Sequence, residues 1–577
     1  MTSLESPTPR RVADAARSPL AWVLVGLAGL FATGLGWGLP GSDSWDNDGA
    51  APRDFLVSVA QTFANHGFDV AYLHLAPLHC ALLAVATLPV TIAALSSAPS
   101  TAPDAVVQTL IQTRYMTANA WIARSVCVAM ALGTVYALAK IGEELQGRRA
   151  GAIVGATCGL NAGFVYYAHT SNLEVPYLFW GSFALLTLVR AITRSEPRRL
   201  RAFAILGALA IGSKDQAAGL FLLGAPTTLL YWRATAPWAR AHRRLLAREA
   251  TLALAIALGV FLVADEVVLN PTGFAARVRY VLGPACSDHA EYVPSTAGRL
   301  ALLWDIGKNT STSFPRIFVP LGALGLGWAL GTTKEKRPAV LAPLFVALSF
   351  TICINATALR SEQRFIQPQL EVLGLYAGLA LDTLLGAPFR GALLWLVRAT
   401  SGVALAQALR LAASVDATLL LDPRYDAEVW LRSHVATGET IETYGLNVYL
   451  PRFPVGARVE RVGIEPTKGR SPLPGVEERV DEFANLPARR PEWIAVSRAW
   501  VSYFLEDPPY DATPGRRVPP AQFAAIDPKS RAYFRALLAG ENGYRIAHTS
   551  AWSSKVWPAA HIHASTGETV WVLERVN

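Results

Sequence analysis

Three aspartates stand close together in a polar stretch that follows the first apolar run of the chain. They are Asp43, Asp46 and Asp48, within Gly41-Ser-Asp-Ser-Trp-Asp-Asn-Asp-Gly-Ala-Ala-Pro-Arg-Asp54. A positioned carboxylate can act as a general base and take the proton of an attacking hydroxyl group. The same side chains could also form a solvated turn that does no chemistry.

A second polar stretch, His169-Thr-Ser-Asn-Leu-Glu-Val-Pro176, separates two apolar runs. Glu174 stands close to Pro176 and therefore near a helix start, where the helix dipole favours a carboxylate. Glu174 is thus either a capping residue or a second acidic group of a site. His169 and Asn172 precede it as candidate substrate-binding side chains.

Cations occur at two further breaks between apolar runs. Lys214 and Asp215 stand in Gly212-Ser-Lys-Asp-Gln216. Lys214 could bind a phosphate as a point charge, with Asp215 as a further candidate substrate-binding residue, or the two could simply pair. Arg360 and Arg364 are spaced to share one face of a helix start, where they could bind one anion together. They could instead be interface anchors whose side chains snorkel to water.

The elements that carry these residues are apolar enough to cross a membrane. Of the 577 residues 52% are hydrophobic and 16% are charged, whereas soluble domains are about a quarter charged. The formal charge of +9 fits Lys and Arg retained on the cytoplasmic side of a membrane, and does not indicate nucleic-acid binding. The apolar segments lie at about 20–40, 72–97, 119–140, 150–168, 176–193, 201–213, 216–232, 249–269, 313–331, 338–358, 366–386 and 391–414.

Loop charge gives the orientation. Arginines cluster at the N-terminus, at 190–201 and at 233–248, and all can be cytoplasmic only if segment 72–97 does not cross completely. Pro77 and Pro89 make that segment a broken, re-entrant element. About eleven crossings remain, with residues 1–19 as a cytoplasmic tail and the polar stretches described above on the outer side. Ionisable groups at membrane depth are costly, so their gathering on one side predicts a site.

Two further elements accompany the spanning helices. Residues 52–65 carry apolar side chains at helical spacing, which predicts a juxtamembrane helix within a first outer loop at 41–118. Residues 415–577 are mixed and Pro-rich, with strand-like runs at 440–444, 492–497, 544–549 and 569–573. The predicted fold is therefore an α-helical polytopic membrane domain (20–414) followed by a soluble α/β domain outside the membrane (415–577).

Taken in order, these stretches resemble the dolichyl-phosphate-mannose–protein mannosyltransferase-like family of the C-type multi-span glycosyltransferase superfamily, to which the lipid A aminoarabinose transferases are related. The resemblance covers residues 20 to about 390. It rests on the acidic first loop, a basic helix start at Arg114 or Arg124, and the Leu145-x-Gly-Arg-Arg-Ala-Gly151 turn. The stretch ending at Pro176, the Gly-Ser-Lys-Asp turn and Arg364-Phe-x-x-Pro368 complete it.

The resemblance implies inverting transfer of a sugar from a polyprenyl-phosphate donor to an acceptor hydroxyl group. In its Trp-x-x-Asp-x-x-x-Pro run Asp48 matches the catalytic base, with Gly49 where the family has Glu, and Asp46 is the other candidate. Glu174 matches the second acidic position, where Asp is commoner. Lys214, Arg360 and Arg364 would then stabilise the leaving lipid phosphate in place of a metal.

The setting follows by analogy, as the bacterial inner membrane with the site facing the periplasm. No cofactor is expected besides the lipid-linked sugar, and the acceptor could be a protein, a lipid or a polysaccharide. Two other classes remain open. A transporter or lipid flippase should show repeated, broken helices at mid-membrane, and a non-catalytic envelope scaffold should show charges that do not converge.

Overall fold

The computed structural model describes residues 18–41, 45–46, 75–331, 335–464, 473, 475–505, 514–517, 528–563 and 566–576. Asp43, Asp48 and the helix expected at 52–65 lie outside these residues. Asp46 is described, as are the other candidate site residues.

Helices make up the first three quarters of the described chain. Those of eight residues or more run α1 Pro19–Ala32, α2 Pro77–Ala86, α3 Leu88–Ser96, α4 Pro103–Leu110, α5 Thr113–Gln146, α6 Arg148–Gly159, α7 Ala162–His169, α8 Glu174–Thr193, α9 Arg199–Ser213 and α10 Gly224–Thr235. They continue with α11 Arg243–Ala264, α12 Pro271–Leu282, α13 Thr296–Ser313, α14 Phe318–Gly331, α15 Arg337–Phe350, α16 Gln367–Gly386, α17 Gly391–Leu420, α18 Pro423–His434, α19 Arg498–Leu505 and α20 Pro528–Ala539.

The helix starts follow from local chemistry. The side chain of Asn161 accepts a hydrogen bond from the backbone N–H of Phe164 and caps α7. Asn270 caps α12 in the same way, through the N–H of Gly273. Pro occupies the first position of α1, α2 and α12, where its missing N–H leaves no intrahelical bond unmade.

The fold is that of a multi-pass membrane protein. Within the described residues five helices are long and apolar enough to cross a bilayer, or up to seven if each of two bent pairs is one span. The predicted count of eleven crossings is therefore not confirmed, because several apolar helices, such as α9, are shorter than a full span.

Segment 72–97 is broken, as its prolines predict. Helices α2 and α3 meet at an angle of 60° on either side of Thr87. Pro89 stands at the start of α3, where it ends the hydrogen-bond ladder of α2. The bend fits a re-entrant element, and whether the segment crosses the membrane stays a prediction.

The bundle core is formed where α5, α6, α8, α9 and α16 pack together. At one end of this core the arginines of the Arg-rich loops pair with acids of neighbouring helices. The pairs are Arg149–Asp382, Arg194–Glu144 and Arg201–Glu249. The basic loops that orient the chain thus meet at the same end of the bundle.

The described residues after α17 form an α/β domain around a six-stranded sheet. Its strands are β1 Thr440–Tyr444, β2 Arg458–Gly463, β3 Val476–Val480, β4 Trp493–Ser497, β5 Tyr544–Ser550 and β6 Val570–Arg575. The order is β3-β2-β1-β4-β6-β5. Strands β3, β2, β1 and β4 are parallel to one another, and β6 pairs antiparallel with both β4 and β5. A C-terminal α/β domain is confirmed, and the helix α17 that precedes it continues to Leu420.

Candidate functional site

The two central polar stretches meet at a buried ion pair. Glu174 is the first residue of α8, and Lys214 directly follows α9. The Lys214 ammonium donates a hydrogen bond to the fully buried Glu174. The same ammonium lies 5.6 Å from the ring centroid of Tyr177. Because α8 and α9 pack side by side, residues forty positions apart in the sequence become direct neighbours.

Asp215 does not close the tight pair with Lys214 that the local sequence allowed. Its carboxylate lies 3.4 Å from the guanidinium of Arg277 on α12, which also lies 2.6 Å from Asp265. Arg277 and Asp265 are buried. Sequence reasoning missed both, because neither stands in a polar stretch that marks it. Lys214 and Asp215 thus link α8 to the loop that carries α12.

In the first outer loop the described carboxylate is that of Asp46, which is only 3% exposed. Asp46 and Arg124 of α5 are close enough to interact electrostatically. Asp46, Arg124 and Glu174 are each close enough to Cys127, one turn further along α5, to interact with it electrostatically. Asp46, Arg124 and Glu174 therefore gather around one segment of α5.

A set of contacts holds the first loop in this position. Arg124 donates hydrogen bonds to the carbonyl oxygens of Leu35 (2.6 Å) and Trp37 (2.8 Å). The Trp37 indole N–H donates to Asp422, at 3.0 Å, just ahead of α18. The Arg424 guanidinium lies 4.0 Å from the ring centroid of Trp45, the neighbour of Asp46. The described residues at the start of the loop are thus clamped between α5 and the chain that enters the α/β domain.

Gly38 permits the closest approach within this clamp. Its φ of +71° suits glycine, and a Cβ there would lie 2.8 Å from the ring of Trp45. The Gly38 N–H also donates to the Tyr425 hydroxyl at 2.9 Å. A side chain at position 38 would displace Trp45, and with it Asp46.

His169 and Asn172 occupy different surroundings. The His169 ring contacts the carbonyl oxygens of Val165 and Thr33, and its Nε2 lies 3.2 Å from Asp416 of α17. These contacts tie α1, α7 and α17 together. Asn172 is buried, and its amide nitrogen has no hydrogen-bond partner among the described residues. A binding role for either residue stays a prediction, and Asn172 is the one with an unused donor.

Arg360 and Arg364 share an anionic partner, but not through the helix that their spacing predicted. Leu359 adopts a left-handed conformation (φ +53°), a 3₁₀ turn covers 363–366, and α16 begins only at Gln367. The predicted helical spacing is therefore wrong. Both guanidinium groups bind Glu362, Arg360 with 2.8 Å contacts to each oxygen and Arg364 with one of 3.1 Å.

Two guanidinium groups converge on one carboxylate in this second group. The Phe365 ring supports them, with centroid distances of 4.5 Å to Arg360 and 5.1 Å to Arg364. Such a group suits an anion that can displace or join Glu362.

The loop ahead of α13 covers the second group. Glu291 donates its backbone N–H to Leu359, and its carboxylate accepts from the Ser361 N–H at 3.2 Å. The Arg517 N–H, from the α/β domain, donates to the Glu291 carbonyl at 3.0 Å. Burial raises the pKa of Glu291 to about 7, and the nearby Glu362 adds to the shift.

The raised pKa of Glu291 predicts a pH-dependent stability. The folded value of about 7 exceeds the ordinary 4.5, so the folded protein binds the proton more tightly than the unfolded chain. Stability from this group is therefore fully present below the ordinary pKa and lost as pH rises through about 7. We expect Glu291→Gln to melt at a higher temperature than wild type at pH ~8, with a smaller difference at pH ~5.

Thermal unfolding of purified wild type and Glu291→Gln across this range measures the effect. Glu541→Gln, at an exposed glutamate of the α/β domain, is the matched control. A constant difference between wild type and Glu291→Gln at all pH values would contradict the assignment.

Comparisons with known proteins give structural similarity only. The sequence matches no protein-family model and no curated protein. Among solved structures it is similar to the Archaeoglobus fulgidus oligosaccharyltransferase tethered with an acceptor peptide, at 13% identity and a TM-score of 0.48 over 98% of this chain and 89% of that one. ArnT from Cupriavidus metallidurans matches at 16% identity and a TM-score of 0.46, over 85% of this chain and 94% of that one.

A further structure of ArnT, bound to undecaprenyl phosphate, has a TM-score of 0.41 at 16% identity, over 83% of this chain and 93% of that one. Because these three scores are below 0.5, the assignment of function depends on the residues of this chain.

Proposed function

We propose that this chain is an inverting glycosyltransferase that moves a sugar from a polyprenyl-phosphate donor to an acceptor hydroxyl group on the outer face of the membrane. The observation that carries the proposal is the buried ion pair of Glu174 and Lys214, beside the segment of α5 near which Asp46 and Arg124 also lie. Buried acids beside buried cations at the ends of apolar helices are costly to keep, which is typical of functional sites.

The proton acceptor in this proposal is a carboxylate of the first outer loop, Asp48 by the sequence resemblance or Asp46. As the acceptor oxygen bonds to the anomeric carbon, the base takes the hydroxyl proton. The bond from that carbon to the phosphate oxygen breaks, and the lipid phosphate leaves with the electron pair. Glu174 orients Lys214 and is the second acidic group.

The leaving phosphate gains negative charge, which Lys214 is placed to stabilise. An ammonium has three N–H donors, so Lys214 is able to donate to phosphate oxygens in addition to its protein partners, which include Glu174. The group of Arg360, Arg364 and Glu362 is the second anion-binding element of the proposal. Asp215, held by Arg277, fixes the turn in which Lys214 stands. A mechanism without a metal stays a prediction.

The bacterial inner membrane, with the α/β domain in the periplasm, is the proposed setting. The first-loop clamp and the contact of Arg517 with Glu291 place parts of that domain beside both charged groups. The acceptor therefore approaches a site that the α/β domain partly covers.

The test is transfer of radiolabelled sugar from polyprenyl-phosphate sugars by the purified protein in lipid nanodiscs, with an envelope extract as acceptor. We expect labelled product with wild type and with Arg148→Ala, which changes an exposed arginine at the opposite end of the bundle. Absence of transfer from every donor, together with movement of labelled lipid across vesicles containing the protein, would support a flippase. Absence of both activities would favour the scaffold.

A further inference from the structure

Two buried polar side chains lack hydrogen-bond partners within the described residues. His79 of α2 and Asn119 of α5 are both completely shielded from solvent. Neither ring nitrogen of His79 and neither amide atom of Asn119 has a partner there. Buried polar groups are nearly always paired, so each exception needs an explanation.

His79 and Asn119 stand on helices that pack next to Glu174. Cys80 and Leu83 of α2 pack in one apolar cluster with Met116 and Ala123 of α5 and with Leu173, the residue before Glu174. Asn119 stands between Met116 and Ala123 at the spacing of a single helix face.

The same face of α5 continues to Cys127, on which Asp46, Arg124 and Glu174 act electrostatically. Helix α2 also packs against α9, which Lys214 directly follows. His79 and Asn119 thus belong to the two helices that join both sides of the proposed reaction centre.

The kind of partner follows from the chemistry of the two groups. A neutral imidazole offers one donor and one acceptor, and an amide offers two donors and one acceptor. Neighbouring hydroxyl groups need this mixture, since each both donates and accepts. A phosphate would favour cations, and a prenyl chain would leave all of these polar atoms unpaired.

We infer that His79 and Asn119 form the subsite that binds the hydroxyl groups of the sugar on the lipid-linked donor. This inference rests on the proposed function and extends it to sugar selection. Ligand hydroxyl groups would complete the hydrogen bonds that the protein leaves unmade. The subsite therefore recognises the sugar and not its lipid phosphate.

The test uses His79→Leu and Asn119→Leu, with decaprenyl-phosphate mannose, decaprenyl-phosphate glucose and decaprenyl phosphate as the three probes. The comparison uses whichever of the two sugar-bearing probes wild type binds more tightly. We expect each variant to bind that probe roughly fivefold to tenfold more weakly than wild type, the loss typical of one neutral hydrogen bond. Affinity for decaprenyl phosphate should not change. The melting temperature without ligand should stay or rise, because an unpaired buried polar group has been replaced by an apolar one.

Thr134→Val is the matched control. Thr134 is a buried polar residue of the same helix, and its hydroxyl is paired with the Met130 carbonyl. Its variant should bind all three probes as wild type does.

Equal weakening toward all three probes, or a lower melting temperature with unchanged affinities, would overturn the inference and leave a structural role. If wild type transfers sugar and both leucine variants keep its affinities, the subsite alone is refuted. If wild type binds the sugar-bearing probes no better than decaprenyl phosphate and transfers neither sugar, the proposed function fails as well.

Discussion

Sugar transfer should slow by about 10²–10⁴-fold when the proton-accepting carboxylate of the first outer loop becomes an amide. We expect this loss in one of two variants, Asp48→Asn or Asp46→Asn, and less than a tenfold loss in the other. Asparagine keeps the size of the side chain but cannot take the proton from the acceptor hydroxyl. Initial rates of transfer at saturating donor, with purified variants in nanodiscs, measure the effect.

Stability must be recorded beside the rate, because Asp46 is buried close to Arg124. A loss of rate at an unchanged melting temperature identifies the base, whereas a parallel loss of both indicates a structural role. Asp426→Asn, at an exposed carboxylate of α18, is the control and should transfer at the wild-type rate. Near wild-type rates for both loop variants would refute Asp46 and Asp48 as the base and make Asp43→Asn and Glu174→Gln the next variants to measure.

Replacement of Lys214 by methionine should reduce the transfer rate roughly a hundredfold, the cost of losing one well-placed donor at a developing anion. The same change leaves Glu174 as a buried carboxylate without its cation, which typically costs about 3–5 kcal/mol of stability. A simple loss of activity would therefore not separate chemistry from unfolding.

The double variant Lys214→Met with Glu174→Gln separates the two effects. It removes both charges, so we expect most of the lost stability to return while the transfer rate stays low. The thermal melting and rate of the wild type, both single variants and the double variant form a complete cycle. Recovery of the rate together with the stability would contradict a role for Lys214 at the phosphate.

Local polarity was enough to predict most of the fold and several candidate residues. Polar stretches between apolar runs identified Glu174 and Lys214, and alternation predicted four strands of the α/β domain. Strands β2 and β3 escaped prediction because charged residues fill them. Arg461 is nevertheless buried, bound to Asn447 and Glu478. In β2 the apolar alternation of an ordinary strand is replaced by ion pairs, which only the folded sheet brings together.

Pairings between distant helices could not be predicted from one sequence. Arg277 and Asp265 flank a short loop and resemble ordinary interface residues until Asp215 is placed beside them. Arg360 and Arg364 were predicted to lie on one helix start, but a left-handed turn at Leu359 replaces the expected helix. A shared partner, Glu362, determines that geometry more than residue spacing does.

The first-loop clamp also sets an order for biogenesis. Trp37 is made long before its partner Asp422, which follows 385 residues later. His169 is likewise made long before Asp416. The segment around Trp37 can therefore be inserted before α17 and α18 exist, but it is held in place only after they have been made. A chain that ends prematurely within the last spanning helix would carry the proposed catalytic residues without the contacts that hold them in place.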